Sequence, residues 1–93
     1  KPTVVRQQLT PEERACRAEG LLVQRIAVDR DALVPLTTTL AHLRVLLATS
    51  SAAYAQNMVG IAELLYKRPE ISGDWARQAF EMVCLTMTTP VAR

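Results

Sequence analysis

The stretch from residue 36 to residue 66 constrains the fold of this chain most, because its only formal charges are Arg44 and Glu63. Taken at about 100° per residue, its large apolar side chains recur at spacings of three and four, which places them on one face of a helix. The pattern predicts a single long helix over about 37–67. The large apolar face consists of Leu36, Leu40, Leu43, Leu47, Tyr54, Met58, Ile61 and Leu65.

A second stripe of mostly small residues follows the same helix, about 110° around its axis from the first. Small side chains let two helix backbones approach closely and gain dispersion contacts along their length. We therefore expect this stripe to contact a second copy of the chain, or another helical protein. The predicted interface residues, called the small-residue stripe below, are Ala41, Val45, Ala48, Ala52, Ala55, Val59 and Ala62.

The length of the predicted helix supports a partner. An unbroken helix would be about 46 Å long, whereas flanking helices of about twenty residues span only about 30 Å. A competing interpretation places a break at residues 48–51, where Ser50 or Ser51 caps a new helix and the chain folds as a four-helix monomer. The small-residue stripe continues through these residues without losing its phase, which favours the continuous helix.

Two shorter helices flank the central stretch. Thr10 followed by Pro11 and Glu13 is the pattern of a capping box, and it predicts a helix over about 11–28. Gly20 in its interior indicates a close helix crossing. Ser72 is the expected cap of a last helix over about 73–88. The prediction is an all-α fold: three main helices form an antiparallel bundle that a dimer completes, with a domain over 10–89, an extended arm over 1–9 and a tail over 90–93.

Composition agrees with packed helices and with a need for association. A domain of 93 residues buries only a modest share of its surface when it folds, so association with a partner would add stability. Aromatic residues make up only 4% of the chain, so the core must be built from aliphatic side chains, which favours helices over a sheet. Helical periodicity gives the last helix one broad apolar face, and Trp75 and Phe80 are predicted to lie in the core. The residues of this face are Trp75, Ala76, Ala79, Phe80, Met82, Val83 and Met87. The net charge of +2 mixes both signs, so no broad footprint for nucleic acid or for a membrane surface is expected.

The alternative function is that of a small helical nucleic-acid-binding protein. Arg14, Arg17 and Arg25 share the outer side of the first predicted helix, where they would contact phosphates. Arginines at this spacing are equally typical of a solvated helix face. We therefore place this interpretation behind protein–protein interaction.

The residues that carry chemistry are few and scattered. Cys16, His42 and Cys84 have no paired spacing, so neither a metal site nor a Cys–His nucleophile is expected. The carboxylate pair at residues 12 and 13 suits a helix start, and the pair at 29 and 31 suits a turn. We predict that the chain is not an enzyme and has no catalytic residues, no cofactor and no small-molecule substrate.

Cysteine usage and hydropathy give an expectation of location. Two cysteines do not make a disulfide framework of the secreted kind, so two reduced thiols in the cytoplasm are expected. A disulfide bridge between the two is possible, but no feature of the sequence supports it. No signal peptide or membrane-spanning window is evident. Because the sequence starts at Lys1 without a methionine, we expect a domain excised from a larger protein.

Overall fold

A computed structural model of the chain describes residues 10–88. Helices make up 81% of these residues, and no strand occurs among them. The all-α prediction is confirmed for this part of the chain. The predicted arm over 1–9 and the tail over 90–93 lie outside the described residues. The helices are α1 (Pro11–Asp31), α2 (Leu36–Leu46), α3 (Ala52–Lys67) and α4 (Gly73–Thr88).

The starts of α1 and α4 follow the local sequence. The Glu13 amide donates to Thr10 Oγ1 at 3.1 Å and the Thr10 amide donates to Glu13 Oε1 at 2.9 Å, which completes the predicted capping box. At the start of α4, the Trp75 amide donates to Ser72 Oγ at 3.0 Å. Both predicted caps are confirmed, and α1 continues to Asp31, about one turn beyond the predicted end.

The prediction of three helices with one long central helix is wrong, because α2 ends at Leu46 and α3 begins at Ala52. Ser51 has an extended backbone and its hydroxyl accepts from the Tyr54 amide at 3.1 Å, so it caps α3. Three consecutive hydroxyl residues, 49–51, compete with the helical hydrogen bonds. The break lets α2 pack back onto α3, so the large apolar side chains on both sides of it join one core.

The core lies around α1, which packs against α4 on one side and α3 on another. Helix α2 packs mainly on α3, and α3 and α4 do not pack directly against each other. The predicted antiparallel three-helix bundle is therefore replaced by an open arrangement in which α2 and α4 have broad outer faces. The buried apolar residues that form the core are Val23, Ile26, Ala27, Leu43, Leu47, Met58, Ala62, Leu65 and Ala76.

The crossing of α1 and α4 is close at Gly20. A Cβ atom at this position would lie 2.7 Å from Glu81 Cγ, which is too short for a carbon–carbon contact. The close helix crossing predicted from the glycine is confirmed, and the neighbouring element is α4.

A buried arginine joins the end of α1 to the end of α3. Arg30 Nη1 donates to the Leu65 carbonyl at 3.0 Å and to the Arg68 carbonyl at 3.3 Å. Leu65 lies in the last turn of α3 and Arg68 is its C-cap, where the helix carries a partial negative charge. The amides of Arg68 and Ile71 donate to the same two carbonyls, at 3.3 and 3.0 Å. The guanidinium also pairs with the exposed carboxylate of Asp31 at 2.9 Å. One side chain thus fixes the position of α3 on α1.

Replacing Ser51 by alanine is expected to lower the free energy of unfolding by about 1 kcal/mol, because the Tyr54 amide loses its capping acceptor. Chemical denaturation followed by circular dichroism measures this difference. Ser50→Ala is the matched control, and we expect it to change stability by less than about 0.5 kcal/mol because Ser50 is an exposed turn residue. Equal losses from the two substitutions would contradict the assignment of Ser51 as the cap.

Candidate interaction surfaces

The small-residue stripe does not form one surface. Val45 is 75% exposed on the outer side of α2, whereas Ala62 on α3 is completely buried in the core. The break between the helices turns the two halves of the stripe toward different surroundings. Exposed members are Ala41, Val45, Ala48 and Ala52, half-buried members are Ala55 and Val59, and the buried member is Ala62.

A cleft of about 340 Å³ lies between α1 and α2. Its apolar lining includes Leu22 and Ile26 of α1 and the exposed Val45 and Leu46 of α2. A cleft of this kind has the shape and polarity to accept an apolar side chain from a partner. The polar residues that line it are Arg25, Asp29, Thr39 and His42.

The most exposed apolar surface lies on α4. Trp75, Ala79, Met82 and Thr86 recur at spacings of four, three and four, which places them in one stripe on the helix. Four large apolar side chains in or beside this stripe are exposed, with Trp75 at 63% and Met87 at 79%. We call Trp75, Ala79, Met82, Val83, Thr86 and Met87 together the α4 outer face.

The prediction that Trp75 lies in the core together with Phe80 is therefore half wrong. Phe80 packs against the core, but Trp75 points outward. The apolar arc of α4 is wider than the surface that α1 covers, and α3 does not pack against α4. Sequence periodicity identified the apolar arc correctly, yet it gave no information on how much of the arc the other helices cover.

The charged residues of α4 lie away from this face. Gln24 of α1 donates to the carboxylate of Asp74, and Arg77 pairs with Glu81 at 3.3 Å beside the α1 crossing. The six residues of the α4 outer face include no charge. A partner that covers this face would therefore not need to desolvate a charged group of α4.

A disulfide bridge links α1 to α4, so the prediction of two reduced thiols is wrong. Cys16 and Cys84 are bonded across a sequence separation of 68 residues, with 5.7 Å between their Cα atoms. No local spacing indicates this pairing, because the antiparallel register of α1 and α4 alone brings the two positions together. Cys16 is buried, and the Glu19 carboxylate lies 3.7 Å from the sulfur of Cys84. That sulfur carries no proton in the bridge and donates no hydrogen bond.

Glu19 also meets Tyr54 of α3, and the two side chains alter each other's acidity. Burial raises the pKa of Glu19 above its ordinary value, although a hydrogen bond from Tyr54 opposes this increase. Burial, the neighbouring Glu19 charge and the hydrogen bond to Glu19 together raise the pKa of Tyr54 to about 12, and burial is the largest of these causes. The pair joins α1 to α3 next to the bridge.

We expect Glu19→Gln to lower the pKa of Tyr54, because it removes the neighbouring negative charge. The folded pKa of Tyr54, about 12, lies above the ordinary 10.0, so its contribution to stability is complete below about pH 10 and is lost toward pH 12. Titration of the ¹³Cζ shift of Tyr54 by NMR measures the pKa. Glu63→Gln, which removes an exposed charge on α3, is the control. An identical Tyr54 titration in wild type and in Glu19→Gln would contradict the coupling between Glu19 and Tyr54.

The three arginines of the nucleic-acid alternative are exposed on α1. Arg25 lines the cleft between α1 and α2 together with the acidic Asp29. Arg17 and Arg14 lie about two and three turns closer to the start of the helix than Arg25. The three side chains are therefore spread over about three turns of α1.

Two further features of the described residues bear on function. Among residues 10–88, no three histidine, cysteine or acidic side chains converge as they do in metal sites. No helix in this part of the chain is long and apolar enough to cross a membrane. Comparison with family models, with curated proteins and with solved structures finds no significant match to this chain.

Proposed function

We propose that this chain is a non-enzymatic helical domain for protein–protein interaction, which associates with a second copy or with another helical protein. The observation that carries the proposal is the α4 outer face, with Trp75, Met82, Val83 and Met87 more than half exposed. Monomeric proteins rarely expose contiguous apolar patches above a few hundred Å² unless the patch binds something. Aromatic and methionine side chains are also enriched at the centres of interfaces.

The acidic residues support the non-enzymatic part of the proposal, because structural contacts already account for them. Glu13 completes a helix cap, Asp29 lies 3.3 Å from the Thr39 hydroxyl, and Asp31 pairs with Arg30. A general acid or base needs a carboxylate that is directed into a substrate site. Glu13 and Asp31 instead act at the ends of α1, and Asp29, which lines the cleft between α1 and α2, accepts from the Thr39 hydroxyl.

The exposed part of the small-residue stripe remains a second candidate surface. Ala41 and Val45 lie on the outer side of α2, and Val45 also lines the cleft between α1 and α2. The charge-free α4 outer face exposes more large side chains, so we place the main contact there.

The compartment forms part of the proposal. The cytoplasmic location expected from the sequence depended on reduced cysteines, and the bridge between Cys16 and Cys84 removes that support. Disulfides persist in oxidising compartments and are rare in the cytosol. We therefore propose that the domain works in an oxidising compartment.

Three variants with equal added charge test the proposed function. Met82→Lys with Met87→Lys alters the α4 outer face, Ala41→Lys with Val45→Lys alters the stripe, and Gln56→Lys with Asn57→Lys is the control on exposed positions of α3. The measurements are the mass in sedimentation velocity and the proteins retained from an extract of the source organism. We expect only the α4 variant to lose an association that wild type and control retain.

The other outcomes distinguish contact through the α4 outer face from contact through the small-residue stripe on α2. Loss of association in the stripe variant alone would keep the interaction function and move the contact to α2. A wild-type mass of one chain, together with no protein whose retention differs among the variants, would contradict the proposal.

The nucleic-acid alternative remains a prediction with weaker support. Arg14, Arg17 and Arg25 are exposed, but the formal net charge of the chain is only +2. Contacts to phosphates would give binding that falls steeply with added salt and weakens in Arg17→Glu with Arg25→Glu. Absence of any retention on single-stranded or duplex DNA and RNA at low salt would remove this alternative.

A further inference from the structure

We infer that the partner of the α4 outer face is a second copy of this chain, and that the two α4 helices pack antiparallel around a twofold axis. This inference rests on the proposed function and adds the identity and geometry of the partner. The α4 outer face is complementary to itself. Binding to an unrelated protein would not require this property.

The central stripe of α4 matches its own reverse. A twofold axis between residues 80 and 81 places Trp75 opposite Thr86 of the second copy and Ala79 opposite Met82 of the second copy. Each pair joins a large side chain with a small one, so a projecting side chain meets a recess. In a parallel arrangement each residue would meet its own copy, and two tryptophans would then face each other while two alanines left a gap.

The residues that flank the stripe also suit a second copy. Antiparallel packing places Val83 of both copies on one flank, and brings Gln78 and Leu85 together on the other. None of these residues is charged, so two identical faces meet without repulsion between like charges. The charged residues of α4 lie on its α1 side, where Asp74 and Glu81 contact Gln24, Arg77 and the surface over Gly20.

The area of the face fits a dimer that exchanges with monomer. Trp75, Met82, Val83 and Met87 are 56–79% exposed. Covering them in both copies would bury on the order of 1,000 Å² in total, which is near the lower limit for a specific interface. We therefore expect dissociation constants in the micromolar range, where monomer and dimer can both be measured.

Exchange of charges between two variants tests the pairing. Ala79→Lys and Met82→Glu are each expected to weaken self-association about tenfold or more, because each brings charges against apolar side chains of the second copy. An equimolar mixture of the two variants is expected to recover association, since the introduced lysine and glutamate face each other in the heterodimer. Sedimentation equilibrium measures each constant, Gln56→Lys is the control, and thermal unfolding confirms that every variant is folded.

A second mixture determines the direction of the helices. Thr86 lies about 16 Å along the helices from its own copy in the antiparallel dimer but faces it in a parallel one. Thr86→Lys mixed with Thr86→Glu therefore recovers association only if the helices are parallel, so recovery there and not in the first mixture would overturn the antiparallel arrangement. A wild-type dimer that neither substitution weakens would overturn the inference but keep the interaction function, with another surface in contact. A wild-type chain that stays monomeric at hundreds of micromolar would overturn a second copy as the partner. Retention of proteins from the extract would then test whether the α4 outer face binds a different protein.

Discussion

Breaking the disulfide bridge is expected to lower the free energy of unfolding by about 4 kcal/mol, as given by the chain-entropy relation for a loop of this length. The bridge joins Cys16 and Cys84 across 68 residues, so it closes almost the whole described chain into one loop and restricts the unfolded state strongly. A domain of this size has a total stability of only about 5–14 kcal/mol. We therefore expect the midpoint of urea denaturation to fall sharply in the presence of a reductant.

The double variant Cys16→Ala with Cys84→Ala is the control for this result. It should unfold at the same low midpoint as the reduced wild type, and the reductant should not change it further. Alkylation and mass measurement confirm that the thiols are free under reducing conditions. If the wild type unfolds at the same urea concentration with free thiols as with the bridge, the stabilising role of the bridge is contradicted.

Arg30→Met is expected to cost about 3 kcal/mol of folding free energy, because it removes buried, charge-assisted hydrogen bonds. The methionine keeps much of the apolar volume but removes the guanidinium donor from the Leu65 and Arg68 carbonyls, which keep only their backbone donors, the amides of Arg68 and Ile71. At least one of these hydrogen bonds is buried, so water does not replace it freely. Denaturation followed by circular dichroism measures the loss.

Arg17→Met is the matched control, because it makes the same chemical change at an exposed position of the same helix. We expect it to change stability by less than about 0.5 kcal/mol. Similar losses at the two positions would show that the hydrogen bonds to the end of α3 contribute little.

The helix ends were predictable where a local hydrogen bond determines them. The capping-box pattern with Pro11 and Glu13 predicts Thr10 as a cap, and Ser72 is the expected cap of the last helix. Both hydroxyls accept a hydrogen bond from the backbone amide three residues ahead. Ser51 carries the same signal and was considered as a cap. The phase of the small-residue stripe favoured a continuous helix there, because a five-residue connection does not disturb an alternation of fours and threes.

Features that depend on the register between helices were not predictable. The pairing of Cys16 with Cys84 and the contact of Glu19 with Tyr54 follow from how α1 packs on α4 and α3. No spacing within the sequence encodes that register. Arg30 likewise looked like part of a turn, and its burial depends on the position of the end of α3.

The sequence pattern also could not predict how much of each apolar side chain is buried. The apolar arc of α4 was identified from its periodicity, but only packing decides that Phe80 is covered and Trp75 is not. The small-residue stripe shows the same limit, since Ala62 lies in the core and Val45 faces outward. Periodicity identifies which residues share a face, and the neighbouring helices determine what that face contacts.

The emission of Trp75 tests the central claim most directly, because Trp75 is the only tryptophan and lies within the α4 outer face. We expect its fluorescence to shift to shorter wavelength, and its quenching by acrylamide to decrease, as the concentration rises through the micromolar range. The midpoint of this change should equal the dissociation constant from sedimentation. An emission maximum and a quenching constant that stay the same from the monomer to the highest soluble concentration would contradict self-association through this face.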